Sequence, residues 1–167
     1  DESAPTVTLS SSASSIAENA GSSLTLTATL SVATTEDVTV AISTSGTSSE
    51  GTDYATISDI TISAGSTTGT ASFTPTDDST YEGNETAIVA IDSVSGGSAT
   101  ENGTQTTTIT ITENESAPTV SLSTSASSIA ETSSSTITIT ATLSTATYEN
   151  VLIGLALSGT ATSSTDY

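Results

Sequence analysis

Four of the 19 acidic residues of this chain fall within the run TDDSTYEGNET: Asp77, Asp78, Glu82 and Glu85. The chain has no Lys, Arg or His, and its formal net charge is −19, so no side chain can neutralise them. Crowded carboxylates of this kind must stay in water, take up protons or bind cations. The chain also lacks Cys, so oxygen atoms are the only side-chain ligands available to a metal ion. A site built from many oxygens favours Ca²⁺, which takes about six to eight of them. Mg²⁺ is disfavoured because it prefers few carboxylates and keeps its waters.

Paired carboxylates could also act as acid and base on a glycoside. Nothing else in the composition supports catalysis, because His, Lys, Arg and Cys are all absent and aromatic residues make up only 3% of the chain. A sugar-binding cleft needs aromatic walls, and an oxyanion or a phosphate needs a positive partner. The sequence therefore predicts a protein that is not an enzyme.

Aliphatic residues alternate with Ser and Thr along the chain, as in Leu24, Leu26, Ala28 and Leu30. A period of two predicts strands with one buried and one solvated face. Seven such strands are predicted in the first part of the chain, at 6–11, 23–31, 37–44, 55–63, 69–76, 86–94 and 105–112. This pattern predicts an all-β protein with the immunoglobulin-like antiparallel β-sandwich as its fold.

The strand order also predicts where the acidic residues meet. Successive strands of an antiparallel sandwich run in opposite directions, so the first, third, fifth and seventh strands end at the same pole. The acidic residues that follow these strands are Glu18, Asp53, Asp77, Asp78, Glu82, Glu85 and Glu113, and Glu115 leads into the next part of the chain. We expect these residues to lie together at that end of the sandwich and to bind metal ions.

Simpler interpretations exist for the same residues. The acidic loop could be a solvated surface of a halophilic or marine protein, and Glu18 could be an exposed loop residue. Asp53 could stabilise a turn through hydrogen bonds to the backbone. Placement after alternate strands favours metal binding over a solvated surface, because acidity without a function would not be positioned so selectively.

The chain contains an internal repeat with an offset of 113 residues. ESAPTVTLSSSASSIAE starts at Glu2 and ESAPTVSLSTSASSIAE at Glu115, and 32 of the 53 aligned pairs up to Tyr54 and Tyr167 are identical. We therefore predict one complete repeat at 1–114 and the N-terminal half of a second at 115–167. Glu131 and Asp166 are the counterparts of Glu18 and Asp53, and they are expected to belong to an incomplete metal site.

The net charge of −19 also restricts the partners. Nucleic acids and anionic membrane surfaces select Lys and Arg, so neither is expected to bind. No apolar run is long enough to cross a bilayer, which argues against membrane insertion. The expected partners are neighbouring repeats of the same or identical chains, together with cations.

The residues of the acidic loop carry a family resemblance. The order Asp53-Tyr54, then Asp77-Asp78 after a strand, then YEGNET at 81–86 resembles the Calx-beta motif. That family includes calcium-sensing domains of sodium–calcium exchangers and tandem repeats of large bacterial surface proteins. The resemblance implies Ca²⁺ ligands at Glu18, Asp53, Asp77, Asp78, Glu82 and Glu85, with further oxygens at the C-terminal edge. At that edge the family often has a run of Asp, where this chain has Glu113-Asn114-Glu115.

The predicted function is that of a calcium-binding structural repeat in an extracellular filament, stalk or surface fibre, with Ca²⁺ stiffening the junctions between repeats. Strong repetition favours this interpretation, because a spacer needs many equivalent copies. The alternative is an adhesin whose repeats bind a cell-surface or glycan ligand in the presence of Ca²⁺. The resemblance also allows calcium sensing inside a cell. We expect the protein to be secreted, in the extracellular space or at the cell surface.

Overall fold

The computed structural model describes residues 3–163 and 165–167, and all regular elements in these ranges are β-strands. The strands are β1 (Thr6–Ser11), β2 (Ser15–Ala17), β3 (Leu24–Leu30), β4 (Val38–Gly46), β5 (Ile60–Ile62), β6 (Thr68–Phe73), β7 (Glu85–Ser95), β8 (Thr100–Glu101), β9 (Thr106–Thr112), β10 (Val120–Thr124) and β11 (Ile139–Leu143). Within the described residues there is no helix that could cross a membrane.

The chain divides into two compact units. The first extends to Asp78 and continues from Gly83 to Asn114, and the second contains Ser79–Glu82 and Glu115–Tyr167. Strands β1 to β9 belong to the first unit, and β10 and β11 belong to the second. The proposed repeat boundary at residue 114 stays a prediction from sequence.

Two sheets form the first unit. One has the strand order β6-β3-β1-β8, and the other has the order β2-β9-β7-β4-β5. Most neighbours are antiparallel, but two pairs are parallel: β1 with β8 and β2 with β9. The chain therefore changes sheets between Ser11 and Ser15, which lets β2 lie beside the last strand of the unit. This arrangement confirms the predicted immunoglobulin-like sandwich.

The core of the first unit lies between the two sheets. Alternate residues of each strand point inward, so Leu26, Ala28 and Leu30 of β3 are buried while Thr25 stays exposed. The largest fully buried side chains are Tyr54, Phe73, Leu26, Ile60, Ile62 and Ile109. Aliphatic residues supply most of this core, and burial of apolar surface stabilises it by roughly 25 cal/mol per Å².

Four of the seven predicted strands lie within one residue of the observed ones: β1, β3, β7 and β9. The fourth predicted strand, at 55–63, is wrong in length, because only Ile60–Ile62 pair as β5. The segment before β5 is irregular, since the Ile57 N–H donates to Oε1 of Glu50 (3.1 Å) and not to a neighbouring strand. The short strands β2 and β8 were not predicted.

The described part of the second unit contains a two-stranded sheet, β10-β11. Val120 pairs with Leu143 and Thr124 with Ile139. Shifted back by 113 residues, these are the pairs Val7 with Leu30 and Ser11 with Leu26 of the first unit. The hairpin of the second unit therefore has the same register as its counterpart.

Candidate metal centre

Glu18 lies beside Glu113 because β2 and β9 run parallel. Ala17 is aligned with Thr112, and the Glu18 N–H continues the ladder by donating to the carbonyl oxygen of Thr112 (3.0 Å). The residue that follows each strand is acidic, so the two carboxylates lie side by side at the ends of β2 and β9. A carboxylate oxygen of Glu18 lies within 4.8 Å of one of Glu113.

Among the described residues, Glu18 is the one buried acidic residue, with 7% of its surface exposed. Its Oε1 accepts a hydrogen bond from the backbone N–H of Asp78 (3.2 Å). A buried carboxylate is costly unless hydrogen bonds and a positive charge compensate it. No side chain of this protein can provide that charge, since Lys, Arg and His are absent. A cation from solution is therefore the natural counter-charge.

Glu113 holds the loop after β6 against the end of β9. Its Oε2 accepts a hydrogen bond from the Gly83 N–H (2.8 Å), and its own N–H donates to Oδ1 of Asn84 (3.0 Å). Sequence reasoning did not assign Asn84 a part in the site. Its position between Glu82 and Glu85 could have indicated such a part. An amide oxygen there can accept a hydrogen bond, whereas another carboxylate would also repel Glu113.

Asp53 is positioned by the tyrosine that follows it. Tyr54 is buried and stacks on Phe73, with ring centroids 4.8 Å apart. The turn before it is closed at Ser49, whose N–H donates to Oδ2 of Asp53 (2.5 Å) and whose carbonyl oxygen accepts from the Asp53 N–H (2.9 Å). The Thr76 N–H donates to the Asp53 carbonyl oxygen (2.9 Å), which links this turn to the segment that carries Asp77.

Asp53 and Glu85 form a second close acidic pair, with carboxylate oxygens within 4.8 Å of one another. Glu85 is the first residue of β7, and the turn after β4 is bound to the start of this strand. There the Thr47 N–H donates to the Thr86 carbonyl oxygen (2.9 Å), and the Thr86 N–H donates to Oγ1 of Thr47 (2.8 Å). These bonds bring the start of the β4–β5 connection and the start of β7 to one place.

Burial raises the pKa of the Tyr54 hydroxyl above its ordinary value of 10.0. A hydrogen bond with the side chain of Thr44 acts in the opposite direction, and the negative charges of Glu50 and Asp53 add to the increase. Tyr54 therefore stays neutral over the whole range in which carboxylates ionise. It supports the site by packing and does not supply a charged ligand.

The other predicted ligands lie in different surroundings. Asp77 and Asp78 are exposed, and Asp78 reaches the Glu18 carboxylate through its backbone. Glu82 and Glu115 are half-buried and are grouped with the second unit, so their part in the site stays a prediction. Glu131 and Asp166, also in the second unit, are exposed. The Asp166 carboxylate accepts from the Thr162 N–H (2.7 Å), which is the same turn that Asp53 forms with Ser49.

The donor set fits a hard divalent cation. We refer to Glu18, Asp53, Asp77, Asp78, Glu85 and Glu113 as the acidic pole. Its two close pairs offer carboxylate oxygens and no nitrogen or sulfur ligand, which matches the preference of Ca²⁺. Several loops contribute, so the geometry can adapt to the irregular coordination that this ion accepts.

The first unit is similar to a known protein family. Residues 1–115 match the family model of the Calx-beta domain. A comparison with curated proteins finds no match. The match to the family covers all elements from β1 to β9, and it therefore covers every residue of the acidic pole.

Solved structures of similar fold include CBD12 from CALX1.2, with 17% identity and a TM-score of 0.52 over 63% of this chain and 43% of that one. The apo-form Calx CBD1 domain has 16% identity and a TM-score of 0.53, over 67% of this chain and 99% of that domain. The calcium binding domain CBD12 of CALX1.1 has 19% identity and a TM-score of 0.51, over 62% and 44% of the two chains. This chain thus spans less than half of either CBD12 structure.

Proposed function

This chain belongs to the Calx-beta domain family, and on that premise we propose that it is a non-catalytic calcium-binding structural repeat of an extracellular filament, stalk or surface fibre. Domains of this family bind calcium, and the acidic groups of this chain could hold a metal ion. The observation that carries the proposal is Glu18: it is a buried carboxylate beside Glu113, in a chain without a basic side chain.

The ligands we propose are the members of the acidic pole, with Glu82 and Glu115 as further ligands predicted from sequence. Bound Ca²⁺ would neutralise like charges that otherwise repel each other across the ends of β2, β6 and β9. Because the ion binds the folded unit and not the unfolded chain, it stabilises the fold by about 2.7 kcal/mol per site at a hundredfold excess over Kd.

The structural role is supported by the repeat itself. The two copies of the N-terminal half are identical at 32 of 53 aligned residues. A spacer has this property, because each copy needs to fold and bind calcium in the same way. In this proposal Ca²⁺ stiffens the junctions between repeats, and the array is located outside the cell.

The test is calcium titration of the full chain. We expect isothermal titration calorimetry to detect binding of Ca²⁺ and weaker binding of Mg²⁺, and a chelator to lower the thermal midpoint by several degrees. Glu18→Gln should weaken Ca²⁺ binding, while Glu36→Gln, at an exposed turn before β4, should leave it unchanged. Identical melting curves in Ca²⁺ and in chelator would refute the proposal.

A second arm separates the structural role from adhesion. The calcium-loaded chain is applied to a glycan array and to cell-surface extracts, with the chelated chain as control. Calcium-dependent capture of one defined ligand would assign the adhesin function. Tight Ca²⁺ binding without any such capture is the result expected for a spacer.

A further inference from the structure

Ser48 is a buried residue whose hydroxyl group makes no hydrogen bond. It lies in the turn after β4, and 7% of its surface is exposed. Among the described residues, its Oγ is covered and has no hydrogen-bond partner. A buried hydroxyl of this kind is costly, because the group loses its hydrogen bonds to water and gains none in return. A serine at this position therefore needs an explanation.

The turn that carries Ser48 is held closely against the start of β7. The Thr47 and Ser48 N–H groups both donate to the Thr86 carbonyl oxygen (2.9 and 3.1 Å), and Oγ1 of Thr47 accepts from the Thr86 N–H (2.8 Å). Gly46 approaches the same peptide so closely that a Cβ atom there would collide with the Thr86 carbonyl oxygen. These contacts fix the backbone of Ser48 beside Thr86, and the residue before Thr86 is Glu85.

On its other side, Ser48 adjoins the turn that positions Asp53. The next residue, Ser49, donates its N–H to Oδ2 of Asp53 (2.5 Å), and its carbonyl oxygen accepts from the Asp53 N–H (2.9 Å). Ser48 thus lies between the backbone attachments of Asp53 and Glu85, whose carboxylate oxygens are within 4.8 Å of one another. Ser48 is therefore buried in the part of the first unit that carries this acidic pair.

The second unit shows that the turn forms without this hydroxyl. With the repeat offset of 113 residues, the position equivalent to Ser48 is occupied by Ala161. The Thr162 N–H nevertheless donates to Oδ2 of Asp166 (2.7 Å), which is the equivalent of the bond that closes the turn in the first unit. Local folding does not require the hydroxyl of Ser48, so its role lies with the neighbouring acidic pair.

We propose that the Ser48 hydroxyl is a neutral oxygen ligand for a divalent cation held by Asp53 and Glu85. The inference rests on the proposed function, because it adds a ligand to the calcium site. Ca²⁺ accepts neutral oxygens beside carboxylates, and its flexible geometry suits a side chain that approaches from a separate turn. A hydroxyl adds an oxygen without adding a further negative charge, which is useful in a chain that has no basic side chain. Coordination also gives the buried Oγ the partner that the protein itself does not provide.

Ser48→Ala in the full chain tests this role through thermal melts and calorimetric titration. In chelator we expect the thermal midpoint to rise by about 2–4 °C, because the substitution removes an unsatisfied buried hydroxyl. Affinity for Ca²⁺ should fall roughly fivefold, since one oxygen ligand is lost. Ser45→Ala, at an exposed serine of β4, should change neither quantity. An unchanged affinity in Ser48→Ala would overturn the proposal. A lower midpoint together with that unchanged affinity would show that the hydroxyl has an ordinary structural role.

Ser48→Cys tests direct ligation through a change in metal preference. Sulfur is a soft ligand, which favours a soft ion such as Cd²⁺ over Ca²⁺. Because the chain has no cysteine of its own, the ultraviolet charge-transfer absorption of a Cd²⁺–thiolate bond can arise only at the introduced residue. We expect this absorption at a Cd²⁺ concentration at least about tenfold lower than Ser45→Cys requires, since two carboxylates assist the thiolate at position 48. Equal Cd²⁺ requirements for the two variants would overturn the proposal.

The unmodified chain separates this inference from the function on which it rests. Absence of Ca²⁺ binding by the unmodified chain would overturn both proposals. Ca²⁺ binding that Ser48→Ala leaves unchanged would overturn only the assignment of Ser48, and the calcium-binding function would stand.

Discussion

Tyr54 stacks on Phe73 with ring centroids 4.8 Å apart and an interplanar angle of 26°. The pair joins the turn that carries Asp53 to the end of β6, after which Asp77 and Asp78 follow. Two parts of the acidic pole are therefore fixed to the same point of the core.

Removing this contact should destabilise the first unit strongly. We expect Tyr54→Ala to lower the free energy of unfolding by about 3–5 kcal/mol, since a large buried ring is replaced by a cavity. Urea denaturation in chelator, followed by circular dichroism, measures the loss apart from any effect on calcium. The matched variant is Tyr167→Ala, at the exposed counterpart, which should change stability by no more than about 0.5 kcal/mol. Equal losses for the two variants would contradict this account of the core.

Alkaline pH should unfold the protein through Tyr54. Burial raises its pKa in the folded state above 10.0, so the folded form holds the phenolic proton more tightly than the unfolded chain. The stability that this group contributes is complete below about pH 10 and is lost as the pH rises through the folded-state pKa. Ultraviolet absorbance of phenolate reports the ionisation, and Tyr54→Phe should remove the latest part of that titration. A titration of unchanged shape in this variant would show that another tyrosine is responsible.

Glu18→Gln should have opposite effects in chelator and in calcium. Without calcium the substitution removes a like charge near Glu113 and should raise the free energy of unfolding by about 1 kcal/mol. The amide oxygen can still accept from the Asp78 N–H, so the local structure is retained. With calcium, a charged ligand becomes neutral and we expect roughly tenfold weaker binding, or about 1.4 kcal/mol. Thermal melts in both conditions, with Glu36→Gln as control, decide the matter; the same sign in both would count against a metal role for Glu18.

Asp53→Asn should separate turn formation from calcium binding. The Asn side chain keeps an oxygen that can accept from the Ser49 N–H, so we expect a loss of stability in chelator of no more than about 1 kcal/mol. Calcium affinity should fall roughly tenfold, because a charged ligand becomes neutral. Asp166→Asn makes the same change in the equivalent turn of the second unit and should leave the affinity of the first unit unaltered. Calorimetric titration of the two variants provides the comparison.

Sequence alternation predicted the sandwich and most of its strands, because β1, β3 and β9 keep a period of two and β7 keeps it from Ala87 to Ile91. It failed before β5, where the buried residues Ile57 and Ile60 are three positions apart and the period breaks. That spacing was readable in the sequence. Strand β2 was not, since three residues with a parallel partner near the end of the unit leave no local pattern.

The sequence predicts the acidic pole as a set of residues, but it does not predict which of them are neighbours. Strand direction alone places the carboxylates at one pole, yet it does not say which of them are neighbours. Glu18 meets Glu113 because of the parallel β2–β9 ladder, which depends on a change of sheet between Ser11 and Ser15. The burial of Glu18 also depends on β2, which the sequence did not predict.

The two parallel pairs have a mechanical consequence. Tension applied to the ends of the first unit pulls β1 against β8 and β2 against β9 along their lengths, so the hydrogen bonds of each ladder are loaded together in shear. The antiparallel β3–β6 pair would instead open one bond at a time if pulled from Ser22 and Thr76, at its open end. Cysteines introduced there are unique handles, since the chain has none of its own. We expect end-to-end pulling to require the higher rupture force, which is the behaviour of an element that carries load along a fibre.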